Sequence, residues 1–170
     1  MSKNADVSSS DDPHVKLAKY ATEIFTASNS ESAYQKIADR FEDDLLDSDE
    51  FPAGYFEFAL DLLSDERFYS KPGLWNFMLV LGTESHKLTE WHYDQLAHVI
   101  SSNYLKYLDE DLCLAVCDFF ARNYPEGQAK KIFADLKEIE THKSENLQRF
   151  ADEGLKILAL EVRRASRHLQ

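Results

Sequence analysis

Two cysteines, Cys113 and Cys117, stand four residues apart, so on a helix they share one face. A metal site would need more ligands. His86, His92 and His98 are candidates by type, but no His-x-x-x-His or Cys-x-x-Cys spacing accompanies them. Leu112, Val116 and Phe119 surround the pair, which reads as two thiols packed as small hydrophobes. His92 and His98 titrate in the range needed for acid–base work. Catalysis also requires a nucleophile, an orienting partner and a place for developing charge. The chain carries no Gly-x-Ser-x-Gly elbow, phosphate-cradling glycine loop or His-Glu-x-x-His. It is expected not to be an enzyme, with no catalytic residue, cofactor or metal assigned.

The densest charge lies at residues 39–50, DRFEDDLLDSDE. Asp39, Glu42, Asp43, Asp44, Asp47, Asp49 and Glu50 face one base, Arg40. A calcium loop would alternate its acids and place a glycine at the sharp turn. Here Leu45-Leu46 interrupts the acids and the glycine is missing. On a helix Asp43 and Asp47 would repel by a few tenths of a kcal/mol, roughly. The segment is therefore either a solvated face or a patch that binds a protein, with Asp43, Asp44, Asp47, Asp49 and Glu50 as contact candidates.

Trp and Tyr dominate binding hot spots. Trp75, in an apolar run, is expected in the core. Trp91, His92 and Tyr93 are consecutive in the first turn of a helix, and three bulky side chains in a row cannot share one direction. At least one is expected at the surface, which makes this stretch a second contact candidate.

Composition narrows the partner. The chain has 170 residues and a formal charge of −12. That charge repels nucleic-acid phosphates and anionic lipid and suits a basic protein. The expected partner is a protein, with no nucleic acid and no membrane. No apolar run approaches the ~20 residues of a membrane span. Residues 1–12 lack the apolar core of a signal peptide, so a cytoplasmic location is expected.

The elements that must position these residues are helical. Only 5 Gly and 4 Pro interrupt the chain. Residues 1–11 are polar and expected to be disordered, and residues 12–170 form one all-α domain. Asp12-Pro13 opens a first helix to about residue 27, with Val15, Leu17, Ala18, Ala21, Ile24 and Phe25 as its apolar stripe. Ser30 caps a second, to about Asp47, whose stripe includes Tyr34, Phe41, Leu45 and Leu46. A third runs from Pro52 to about Leu63, followed by a connector that carries Phe68 and Tyr69 in a short turn. A fourth, Leu74 to about Gly82, is apolar on most sides and reads as central. Thr89 starts a fifth, to about Tyr104. Asp109 caps a sixth, to about Asn123. A seventh ends near Glu140. The eighth, from Ser144 to about His168, ends in Arg163, Arg164 and Arg167, where cations suit the helix dipole.

Three apolar patches look alike. They begin at Leu74, Leu112 and Gly154-Leu155, and their leucines are 38 and 43 positions apart. A drifting period near 40 resembles the HEAT family of two-helix repeats. Stacked antiparallel hairpins share a continuous core that one hairpin cannot close alone. The resemblance implies a HEAT-like α-solenoid, and a closed helical bundle is the alternative. Small acidic helical proteins of this kind also resemble bacterial immunity proteins, which neutralise a toxin by tight binding. That resemblance implies a cationic toxin domain as partner. A general adaptor or scaffold subunit is the competing function. HEAT-like DNA glycosylases need a basic surface, which a charge of −12 opposes.

Overall fold

Aspartates begin the helices as their chemistry requires. Asp12 Oδ1 accepts from the His14 N–H at 2.9 Å, with Pro13 at the first helical position. Asp109 Oδ1 accepts from Asp111 and Leu112 at 2.9 and 3.2 Å. Asp65 accepts from Arg67 at 2.9 Å and opens an extra helical turn. The computed structural model of this chain describes residues 12–27, 31–107, 109–138 and 145–168. The expectations for residues 1–11 and for the Ser30 cap lie outside them.

The fold is all-α. Among the described residues there are nine α-helices and no strand. They are α1 (Pro13–Thr26), α2 (Glu31–Leu45), α3 (Ala53–Ser64), α4 (Glu66–Tyr69), α5 (Trp75–Thr83), α6 (Glu90–Asn103), α7 (Glu110–Asn123), α8 (Glu126–Glu138) and α9 (Glu145–His168). Two short 3-10 turns, Ser85–Lys87 and Tyr104–Lys106, flank α6. The helix beyond the expected eight is α4, a single turn in the connector that buries Phe68 and Tyr69.

Contacts run in two rows. One passes from α2 to α5 to α7 to α9, and the other from α1 to α3 to α6 to α8. The three similar apolar patches fall on α5, α7 and α9, which are successive neighbours in the first row. At one end α1 packs on α2, α3 and α4; at the other, α9 packs on α7 and α8.

Aromatic rings fill the N-terminal half of the core. Phe41, 1% exposed, meets Tyr55, Phe77, Phe58 and Phe51 at centroid distances of 5.1, 5.4, 6.0 and 6.4 Å. Buried tyrosines need partners for their hydroxyls, because an unpaired buried hydroxyl costs about 1–3 kcal/mol. Tyr34 donates to the Phe68 carbonyl at 2.7 Å, Tyr107 to the Leu63 carbonyl and Tyr124 to the Tyr93 carbonyl. Lys71 Nζ donates to the carbonyls of Ile24, Phe25 and Ala27 at 2.7, 3.1 and 3.2 Å, so it closes the C-terminus of α1. Gly73 turns the chain into α5 at φ 99°, where a Cβ would stand 3.0 Å from the Glu31 carbonyl oxygen.

Several expected core positions are not buried. Val15 and Phe25 lie on the exposed side of α1, and Tyr20 takes the inward place instead. Leu46 falls one residue past the end of α2 and points outward, 63% exposed. Leu79 interrupts the burial of α5. Trp75 is only half-buried, because its indole N–H reaches the Glu31 carboxylate at 2.8 Å near the surface. An indole in a dry core would have no such acceptor.

Candidate protein-binding face

The acidic segment begins on the last turns of α2 and continues through the loop to α3. Its carboxylates divide into two groups. Asp44 turns inward and accepts from Tyr20 at 2.7 Å, Tyr55 at 3.0 Å and Lys16 at 3.2 Å. Burial first, and then the bond to Asp44, holds both phenols well above their ordinary ionisation range. Asp44 therefore joins α1, α2 and α3 and offers little to a partner. Glu42 is half-buried, and its carboxyl is raised by burial and then by the charges of Glu84, Asp39 and Asp43.

Asp39, Asp43, Asp47, Asp49 and Glu50 are exposed, and none makes an ion pair with a described residue. Leu46, 63% exposed, lies among them in the chain.

The loop is anchored from below. Lys87 Nζ donates to the Leu45 carbonyl at 2.5 Å, which satisfies the C-terminus of α2. The same ammonium stands 2.7 Å from Glu84 Oε2, with both side chains 7% exposed. No donor is aligned to hydrogen-bond Glu84 Oε2, so the Lys87 charge is what neutralises it.

The second candidate segment arrives beside the first. His92 sits 4.4 Å from the Phe56 ring and 6.3 Å from the ring of Phe51, the residue after Glu50. His92 Nδ1 accepts the Thr89 N–H at 2.9 Å, taking the place that Glu or Gln fills in a capping box. This acceptor role requires an unprotonated Nδ1, and burial holds the imidazole below its ordinary pKa. Trp91 leans on Phe56 and His92 at 5.8 and 5.4 Å yet remains 57% exposed. Tyr93 turns the other way. Its hydroxyl donates to the Ser85 carbonyl at 3.1 Å and its ring meets Tyr124 at 5.0 Å. Of the three consecutive residues, Trp91 alone projects as an anchor, while His92 supports it and Tyr93 braces α6.

Sequence spacing pointed to both segments but not to their union, which is made by Phe51 and Phe56. Lys87 and Glu84 carry no motif and were also missed. The cysteines are buried on α7, where burial pushes the Cys113 thiol up to about 12 and that of Cys117 to about 11. Among the described residues no three His, Cys, Asp or Glu side chains converge as a metal site. No described helix is long and apolar enough to cross a membrane.

Fold and face together define an all-helical protein with an exposed tryptophan beside a loop whose exposed carboxylates make no ion pair with a described residue. Comparison with protein-family models, curated proteins and solved structures finds no match for the chain.

Proposed function

We propose that this chain is a non-catalytic protein-binding module whose partner is a cationic protein. One observation carries the reading: Trp91, exposed and held on Phe56 and His92, stands beside the loop that bears Asp47, Asp49 and Glu50. An aromatic anchor rimmed by charge is the arrangement of a binding hot spot. A Lys or Arg of the partner gains from both the indole face and the nearby carboxylates, worth about 0.5–2 kcal/mol for the indole contact alone. The overall charge of −12 adds long-range steering.

Within that class, the neutralisation of a basic toxin domain fits best. Such a task rewards fast, charge-steered association with a tight anchor. The succession of similar apolar patches along α5, α7 and α9 supports a HEAT-like stack as the rigid carrier of the face.

Affinity capture from the native host tests the reading, with wild type, Trp91→Ala and the combined Asp43→Asn, Asp47→Asn, Asp49→Asn, Glu50→Gln variant as baits. The expected result is a basic protein held by wild type, released by salt and lost from both variants. Co-expression with that protein should relieve its toxicity. Capture of a partner that ignores both variants would refute the face.

An adaptor role has one observation in its favour. A groove of about 430 Å³ lies between α5 and α7, lined by Met78, Leu79, Ala115 and Phe119. A peptide ligand bound there would survive the charge variant and fail with Leu79→Asp.

A further inference from the structure

A second groove lies between α1 and α3, with a volume of about 540 Å³. It sits on the flank of α1 away from α2, since Lys16, Tyr20 and Glu23 on the other flank are bound to Asp44 and Arg40. The two helices run in the same direction. Leu17 Cδ1 is 3.6 Å from where a Cβ on Gly54 would stand, near the start of α3, and Phe25 stacks on Phe68 at 4.7 Å, beyond its end. From His14 to Phe25 the groove follows three helical turns, a length of about 16 Å at ~1.5 Å per residue.

Its floor is apolar, with Ala18, Ala21, Phe25 and Phe58, and the small side chains make room for a third helix. Its α3 wall carries Glu57 and Asp61, one turn apart, and neither makes an ion pair with a described residue. Asp65 continues the wall but is already taken by Arg67, whose guanidinium also covers Phe25 at 5.0 Å. Burial, then the charges of Asp65 and Glu57, raises the Asp61 carboxyl above its usual range. This wall is short of positive charge.

The complement is on the chain itself. Val162 is the last residue of α9 packed on the core, and the described residues beyond it are exposed. Leu160, Arg163, Arg164 and Arg167 share one face by their i, i+3, i+4, i+7 spacing. Leu160 is 53% exposed. Arg164 pairs with Glu161 at 3.0 Å, whereas Arg163 and Arg167 are exposed and pair with no described residue. They are one turn apart, as Glu57 and Asp61 are.

We propose that the α1/α3 groove is a self-association site that receives the last turns of α9 from a second copy, with Arg163 and Arg167 against Glu57 and Asp61 and Leu160 on the apolar floor. Because α1 and α9 lie at opposite ends of the two rows, one copy cannot satisfy its own groove. The contact joins two different surfaces, so it propagates head to tail unless the rotation between copies closes it. Three turns of helix in a shallow groove fall in the small, transient class of interfaces, and exposed charge pairs weaken with salt.

Sedimentation velocity of the full chain tests this, at rising concentration up to about 1 mM and at low and high salt. The average mass should grow with concentration at low salt. Glu57→Gln with Asp61→Asn should remove growth, and so should Arg163→Gln with Arg167→Gln, each with unchanged circular dichroism. An equimolar mixture of these two variants should form a dimer that grows no further, since each keeps one competent half. The Asp43, Asp47, Asp49, Glu50 variant should associate as wild type does. Wild type that stays monomeric throughout overturns the proposal. So does a mixture that fails to pair, or loss of association in the Asp43–Glu50 variant, which would send the arginines to that other acidic face.

Discussion

The Lys87 ammonium stands 2.7 Å from the Glu84 carboxylate, both side chains are almost fully buried, and the same lysine holds the Leu45 carbonyl. One residue thus fixes the loop that carries the acidic face.

Replacing Lys87 by Met should cost about 3–5 kcal/mol, because it leaves the Glu84 charge buried without a counterpart. The double variant Lys87→Met, Glu84→Leu should recover most of that loss. Urea unfolding of the three proteins measures it. A single variant as stable as wild type would show that water reaches Glu84.

Asp44 and Asp47 should separate stability from binding. Asp44→Ala removes three hydrogen bonds and strands two partly buried phenols, for a loss of about 2–4 kcal/mol. Asp47→Ala touches no described partner, and its stability should change by no more than about 0.5 kcal/mol. On-rates for a basic partner should show the reverse order. Thermal melts and stopped-flow binding at two salt concentrations check both halves.

His92 should make the protein acid-sensitive. Its pKa is depressed in the folded state, so the unfolded chain takes up the proton more readily. Its contribution is complete above the ordinary value of 6.5 and is lost as pH falls through the lower folded value. Protonation at Nδ1 also ends the bond from the Thr89 N–H. His92→Gln keeps an acceptor there and should flatten the slope of stability between pH 7 and pH 5, roughly. Equal slopes for the two proteins would remove His92 as the cause.

Gly154 should resist substitution. A Cβ there would lie 2.3 Å from Phe133 Cε1 and 2.5 Å from Cζ, and that ring is fully buried. Helix propensity favours Gly154→Ala by about 1 kcal/mol, but overpacking costs about 1–3 kcal/mol. Net destabilisation and a loosened contact between α8 and α9 are expected, read from the melting temperature and from amide exchange in α9.

Chain order alone announced the helices. Asp12-Pro13 and Asp109 are capping residues that act within their own turn, so their meaning does not depend on distant contacts. The apolar runs on α5, α7 and α9 were legible for the same reason, since helical spacing is local. Leu46, Val15 and Trp75 were misplaced because burial depends on what lies opposite. Leu46 falls past the end of its helix, Val15 lies 48% exposed on the outer side of α1 and Trp75 has Glu31 within reach at the surface. Asp44 was grouped with its acidic neighbours, because no local pattern reveals two tyrosines arriving from α1 and α3.

The sequence by itself determined the helical class, the negative charge and the two segments from which a binding face is built. Tertiary structure alone decided that Phe51 and His92 bring those segments together, that Asp44 turns inward while Asp47 stays out, and that Arg163 and Arg167 stand exposed with no ion pair to a described residue. The reason is physical. Capping and periodicity act over one or two turns of chain, whereas the position of a charge relative to water depends on residues tens of positions away.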